Sequence, residues 1–376
     1  MNNTLLHKIN QRKQENALRK LSLSENKIDF YSNDYLGFSN SKEIKNNSQT
    51  ILEKYGYKNG STGSRLISGN YPLIDFTENY IAKYHNSQSA LLFNSGYDAN
   101  LGLLSSVPQR NDIVFFDENV HASIRDGIRL SYAKSFKFKH NEINYLEKEL
   151  EKARKTKNIN EVYIVTESVF SMDGDSVALE KLVEISEKYN AHIILDEAHA
   201  IGVLGNNGGG LAEEKNLENK IFARIVTYGK AMGCHGATVL GSSLLKQYLI
   251  NFARSFIYTT APSPHQTATI LAAYYYLENA YLLREKLSEN INHYKDAVGL
   301  YNLKTITNSS AIRTIIIPTN NKAKELAEKL QKNNFNIKAI LSPTVAKGTE
   351  RLRICLHSYN TKEEIYALIK MISKFV

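Results

Sequence analysis

Two cysteines, six prolines and no uncharged apolar run of about 18 residues are the first features of this 376-residue chain. Two thiols, Cys234 and Cys355, cannot hold a metal cluster by themselves, and they build no disulfide framework, so no metal is expected. Without a long apolar run, no membrane-spanning helix is expected either. The opening residues, MNNTLLHKINQRKQENALRKL, are polar and helix-like. They lack the apolar core and small-residue cleavage site of a secretion signal, so the cytoplasm is the expected compartment. Internal repeats, low-complexity tracts and the usual nucleic-acid motifs are also missing. The net charge of +9 is spread along the chain, and clusters such as KARKTK at 152–157 read as solvated helix ends. Charge alone thus fits an anionic small molecule, with neither nucleic acid nor a membrane as the expected partner.

What is present is an ordinary folding composition, 42% hydrophobic and 23% charged, in a pattern of short apolar runs separated by amphipathic segments. Residues 89–95, 112–117, 161–168, 191–198, 223–229 and 237–242 read as buried strands. Segments such as INYLEKELEKARK and LEKLVEISEKYN carry helical spacing. That alternation predicts a mostly parallel sheet covered on both faces. After the prolines of APSPHQ, at 261–266, a long helix, straight or kinked, is expected. Strands at 313–319, 338–344 and 351–357 and helices at 322–333 and 361–375 should follow, the pattern of a smaller α+β domain. The expected division is an N-terminal helix and connecting segment at 1–35, a large α/β domain at 36–265 and a small domain at 266–376.

In open α/β sheets, ligands bind beyond the carboxyl ends of the strands. The predicted strands deliver polar residues there: NSGYDAN at 94–100, Asp117 and His121, Ser171 and Asp173, Asp196 and His199, Thr227 and Lys230. Singly each is ordinary, since a strand-end aspartate commonly caps a helix and NSG is commonly a turn. Five strands ending this way suggest one cavity. Lys230, in a glycine-rich corner, has an amine that desolvation can activate toward a carbonyl. Ser95, Gly96 and Tyr97, opening a helix, can offer backbone N–H groups to a phosphate. An aspartate can hold a protonated pyridine nitrogen, and an imidazole can stack on a flat ring. These needs together describe pyridoxal 5′-phosphate.

The motifs SNDYLGFS, GSTGSRLISGN, NSGYDAN, HASIRDGIRLS, ESVFSMDGD, LDEAHAIGVLG, TYGKAMGCHGA, FIYTTAPSP and PTVAKGTERLRICLHS occur in this order over nearly the whole chain. Together they resemble the α-oxoamine synthase family, pyridoxal-phosphate enzymes of fold type I, the aspartate aminotransferase-like α/β fold. The resemblance implies acyl transfer from a thioester to an amino acid with loss of CO2. It makes Lys230 the covalent anchor and proton-transfer base, Asp196 the partner of the pyridinium nitrogen and His121 the stacking, catalytic imidazole. Gly96, Tyr97, Ser171, His199 and Thr227 would hold the cofactor. Arg353 would grip the amino-acid carboxylate, with Arg19, Asn33 and Thr344 at substrate and Ser64 in a matching loop. It further implies a homodimer with a shared active site, Thr259 or Thr260 reaching the neighbour's phosphate. The compact length and NALRKL resemble the branch that takes L-alanine, the acyl donor being a coenzyme A or acyl-carrier-protein thioester. Sister branches taking glycine or serine share the machinery. The rival from another class is a basic, non-enzymatic binding protein, which would be colourless. Two departures from the family pattern stand out, an extra Asn206-Asn207 and the loop YPLIDFTEN at 71–79 near the expected substrate entrance.

Overall fold

The computed structural model describes residues 3–19, 21, 26–56, 58–156, 158–306 and 308–376. Along the chain the strands are β1 (Ile28–Asp29), β2 (Ser89–Phe93), β3 (Ile113–Asp117), β4 (Lys134–Phe138), β5 (Val162–Glu167) and β6 (His192–Asp196). They continue as β7 (Ala223–Thr227), β8 (Ala237–Gly241), β9 (Ile312–Ile316), β10 (Phe335–Asn336), β11 (Lys338–Ile340) and β12 (Arg351–Cys355). The chain forms two compact units. The larger comprises residues 36–170 and 176–284, the smaller residues 1–35, 171–175 and 285–376.

The larger unit is built on a seven-stranded sheet in the order β2-β8-β7-β6-β5-β3-β4. Neighbours from β4 to β7 run parallel, and β8 runs antiparallel to both β7 and β2. The sheet centre is dry because its strands are continuous apolar runs. Every residue of β5, VYIVTE, is buried, as is every residue of β7. The apolar stripes of flanking helices cover it, with Leu146, Leu150 and Ala153 turned inward from Ile143–Lys155 and Leu182, Val183 and Ile185 from Leu179–Lys188. Strand β4, KSFKF, lies outside the sequence expectation. Four of its five residues are exposed, so this edge strand carries no buried run to betray it.

Two further expectations change. Residues 71–79 form no loop. Tyr71 caps a helix, Pro72–Tyr84, whose Glu78 is buried and accepts from Arg65 Nη1 at 2.8 Å, Lys246 Nζ at 2.8 Å and the Leu92 amide at 2.9 Å. A proline at the first helical position starts the helix there. The long helix after residue 261 is two, Pro264–Leu277 and Tyr281–Leu300. The inserted Asn206-Asn207 pair sits in a turn closed by Glu213, which accepts from the Asn207 amide and side chain, each at 2.9 Å.

The smaller unit pairs β1 with β10 in parallel and carries an antiparallel sheet in the order β11-β12-β9. The helices Asn320–Lys332 and Lys362–Ile372 bury Leu326 and Leu330, and Ile365, Leu368 and Ile369, in its core. No helix among the described residues is long and apolar enough to cross a membrane.

Candidate active site

Four strands of the large sheet, β3, β5, β6 and β7, end in the polar residues Asp117, Glu167, Asp196 and Thr227, and hydrogen bonds show which of these meet. Strand β6 delivers Asp196, whose Oδ1 accepts from the Ala198 amide at 2.9 Å and whose Oδ2 accepts from Asn100 Nδ2 at 2.8 Å. Asn100 lies on the helix Gly96–Ser106 and reaches the Ser123 hydroxyl at 3.1 Å. Ser123 opens the next helix, Ala122–Leu130, and its hydroxyl stands 2.7 Å from His121 Nδ1. Gly127 makes this approach possible. A Cβ there would sit 2.9 Å from the Asn100 carbonyl and 2.9 Å from Leu104 Cβ, so only glycine lets the two helices come so close. Asp196, Asn100, Ser123 and His121 are thus one connected group.

Glu167, at the end of β5, pairs in register with Asp196. It accepts the His121 backbone N–H at 2.5 Å. Burial first, and then the Asp196 charge, push its carboxyl well above the usual carboxylate range. For His121 desolvation is the largest cause, Asp196 pulls the other way and the Lys230 cation adds to the fall, and its pKa lies below the ordinary histidine value. The same electrostatic neighbourhood therefore contains Lys230, Asp196, Glu167 and His121.

Lys230 lies on the connection between the antiparallel strands β7 and β8. The turn is closed by Tyr228 N–H to the Gly236 carbonyl at 2.9 Å, Gly233 N–H to the Lys230 carbonyl at 2.8 Å and Cys234 N–H to the Tyr228 carbonyl at 2.7 Å. Gly233 and Gly236 adopt φ of +61° and +121°. Such tight closure holds the Lys230 backbone at the strand ends, with the side chain half-buried.

The N-terminus of the helix Gly96–Ser106 has the form that receives an anion. Ser95 caps it, its hydroxyl accepting from the Asp98 amide at 3.1 Å. The Gly96 and Tyr97 amides, at the first two helical positions, have no intrahelical acceptor. Thr227, from the end of β7, faces this corner. Its hydroxyl is buried with no hydrogen-bond partner among the described residues, and a Cβ on Gly96 would lie 2.7 Å from Thr227 Cγ2. An orphaned hydroxyl beside a notch that a single methyl would fill fits a phosphate-bearing ligand. Asn94 Nδ2 ties the corner to the Thr260 carbonyl at 2.8 Å and to Thr259 Oγ1 at 3.2 Å within this chain. Tyr97 is exposed, its hydroxyl donating to Asp126 at 2.7 Å. His199 is buried two residues beyond Glu197, which caps the Leu211 and Ala212 amides.

Not every strand-end residue joins this group. Asp117 is fully buried and structural, accepting from the Asn119 amide at 2.8 Å, the Asn141 amide at 2.9 Å and His140 Nδ1 at 2.9 Å. Ser171 and Asp173 belong to the smaller unit. There Asp173 pairs with Arg351, and the Ser171 carbonyl accepts from Arg353 Nε at 2.6 Å. Arg353 Nη2 donates to Asn33 at 3.0 Å and Nη1 to Cys355 Sγ at 2.9 Å. Tyr35 adds a further hydrogen bond to this guanidinium, whose planar fork is of the shape that matches a carboxylate. Arg19, exposed, reaches the Thr344 hydroxyl at 3.4 Å. Asn100, Ser123 and Glu167 stand inside the motifs NSGYDAN, HASIRDGIRLS and ESVFSMDGD, yet sequence reasoning passed over them. Their part in the site comes from helix approach and strand register, which no local spacing encodes.

This sheet, with a lysine on its β7–β8 corner, an aspartate ending β6 and a phosphate-type helix N-terminus, defines a pyridoxal-phosphate-dependent enzyme of fold type I. Residues 25–372 match the model of the family described as aminotransferase class I and II, and the chain belongs to that family. It is 38% identical to an 8-amino-7-oxononanoate synthase of Emericella nidulans, an alignment spanning 100% of this chain and 96% of the relative. Among solved structures it is similar to the 8-amino-7-oxononanoate synthase of Francisella tularensis, at 33% identity, TM-score 0.78, and 93% and 98% coverage of the two chains. It is also similar to the serine palmitoyltransferase of Sphingomonas wittichii, at 25% identity, TM-score 0.89, and 100% and 96% coverage. The chain is an acyltransferase of the α-oxoamine synthase group, and pyridoxal phosphate is its cofactor.

Proposed function

We propose that this enzyme condenses L-alanine with a pimeloyl thioester, of coenzyme A or of an acyl carrier protein, to give 8-amino-7-oxononanoate, CO2 and the free thiol, a step of biotin synthesis. The observation that carries the reading is the full-length 38% identity to a synthase of that name, joined to a site holding lysine, aspartate and histidine.

Bound pyridoxal phosphate supplies an aldehyde for the substrate amine and a ring that accepts the electron pair left at Cα. The chain's own residues do the rest. Gly96, Tyr97 and Thr227 hold the phosphate, and Asp196 keeps a proton on the ring nitrogen. Lys230 would anchor the cofactor covalently, and its amine would serve as the base that takes the Cα proton. Arg353 holds the amino-acid carboxylate through its guanidinium. His121 orients the reacting groups and stabilises developing negative charge. Arg19 and Thr344 serve the acyl donor, with Ser171 and His199 at the cofactor. We place the working enzyme in the cytoplasm as a homodimer, Thr259 or Thr260 contributing across the interface.

The test is product formation from matched substrate pairs, followed by mass spectrometry and release of labelled CO2. L-Alanine with pimeloyl-CoA should give the aminoketone, at a rate at least tenfold above glycine with acetyl- or succinyl-CoA and serine with palmitoyl-CoA. Preference for a glycine or serine pair would move the enzyme to a sister activity. Lys230→Ala should abolish turnover, and Asp196→Asn should slow loss of Cα deuterium from labelled alanine by several orders of magnitude.

A further inference from the structure

The hydrogen bonds around His121 have a direction. Asn100 Nδ2 stands 2.8 Å from Asp196 Oδ2 and 3.1 Å from Ser123 Oγ. A carboxylate only accepts, so the amide must present its NH2 side, and both N–H groups are used. The Ser123 oxygen therefore receives a proton from Asn100, and its own proton goes to the remaining neighbour, His121 Nδ1, at 2.7 Å. The Ser123 backbone N–H also points at Nδ1, at 3.2 Å. The reverse arrangement, with a proton on Nδ1, would leave the Ser123 hydroxyl proton without an acceptor and set two N–H groups against each other. The neutral imidazole consequently carries its proton on Nε2.

We infer that Asn100 and Ser123 are positioning residues that lock His121 in its Nε2–H form and orient it from the same carboxylate that holds the cofactor nitrogen. Both are fully buried, and neither was assigned a role from the sequence. The inference deepens the reading above and rests on it for the reaction that His121 serves. It makes His121 a hydrogen-bond donor toward a reactant oxygen. An acceptor nitrogen there would repel the same oxygen. The charged and titratable groups facing the ring are Asp196 from β6, Lys230 from the β7–β8 turn, Asp126 from its own helix and Glu167 from β5.

Donors aimed at Nδ1 disfavour its protonation, so removing them should raise the His121 titration midpoint. The experiment is long-range proton–nitrogen NMR of the full-length protein labelled with 15N-histidine, with and without pyridoxal phosphate, His121 being assigned by the signal lost in His121→Asn. The wild type should show a bare Nδ1 and a protonated Nε2 at neutral pH. Ser123→Ala and Asn100→Ala should each raise the midpoint by about half a unit to one unit and populate the Nδ1–H form. Ser123→Thr, which restores the hydroxyl, should return the wild-type pattern. In turnover the acid limb of kcat should move with the midpoint while KM for alanine changes less than threefold. A wild-type ring protonated on Nδ1, or variants that titrate as the wild type, would overturn the inference. Because the tautomer is read without the cofactor, this failure is separable from failure of the proposed reaction, which substrate pairing alone decides.

Discussion

A buried hydroxyl without a partner is a cost to the fold, about 1–3 kcal/mol of lost solvation. Thr227 carries such a hydroxyl at the end of β7, beside the notch kept open by Gly96. A residue kept at a loss in the protein alone is explained by what it binds. Thr227→Val keeps the shape and removes the oxygen, so the cofactor-free variant should melt at the wild-type temperature or a few degrees above it. Its pyridoxal phosphate dissociation constant should rise about tenfold, the equivalent of one hydrogen bond of about 1.4 kcal/mol. Spectrophotometric cofactor titration beside a thermal melt separates the two effects. Lower stability in the cofactor-free variant would mean that the hydroxyl serves the fold. Gly96→Ala attacks the same corner sterically. Its methyl would stand 2.7 Å from Thr227 Cγ2, so cofactor affinity should fall at least as far.

The turn from β7 to β8 shows how an element holds a reactive side chain. Its glycines are not equivalent. Gly233 has φ +61°, and a Cβ there would lie 2.3 Å from the Ser39 amide nitrogen and 2.5 Å from the Phe38 carbonyl carbon, backbone atoms that cannot rotate away. Gly229, one residue before Lys230, would bring a Cβ no nearer than 3.9 Å to the Cys234 carbonyl. Gly233→Ala should therefore cost about 2–4 kcal/mol, the left-handed penalty plus overpacking, and should lower the fraction of Lys230 bound to cofactor. Gly229→Ala should fall within about 0.5 kcal/mol of the wild type. Urea unfolding of the two variants provides the comparison, and equal losses would show that the turn is not held where these contacts place it. The same contrast marks what could be read beforehand. Strands β5, β6 and β7 were legible because unbroken apolar runs have few other homes, and Lys230 because a lysine among glycines is out of place. Strand β4 was hidden by its exposed lysines, and the segment 71–79 by a proline that reads equally as a loop or a helix start. Asn100 and Ser123 were hidden because their meeting depends on Gly127 in a later turn of the helix.

Stability of the whole molecule should carry a signature of buried histidine. His85 is 2% exposed and ends the helix Pro72–Tyr84, its Nε2 2.8 Å from the Tyr274 hydroxyl inside a cluster with Tyr84 and Tyr274 rings at 5.2 and 5.6 Å. Burial, and then the Arg224 cation that donates to its carbonyl, hold its pKa well below the ordinary value of 6.5. The sign follows from proton counting. Below about pH 6.5 the unfolded chain takes up a proton at this residue while the folded chain does not, so the fold loses stability as pH falls. The loss approaches about 1.4 kcal/mol per pH unit until the folded pKa is reached, and between pH 7 and 5.5 it amounts to about 1.2 kcal/mol. Carboxylates titrate in the same direction lower down, so the wild-type curve alone does not isolate the histidine. His85→Gln removes the titrating group and keeps a polar partner for Tyr274. The variant should be less stable than the wild type at pH 7, and that difference should shrink by about 1 kcal/mol at pH 5.5, measured by urea unfolding at both values. A difference that stays constant with pH would mean that His85 takes up its proton in the fold as readily as in the unfolded chain, and one that grows toward pH 5.5 would mean that the fold holds it protonated; either would require a counter-charge beside the ring that the packing around Tyr84, Tyr274 and Arg224 does not provide.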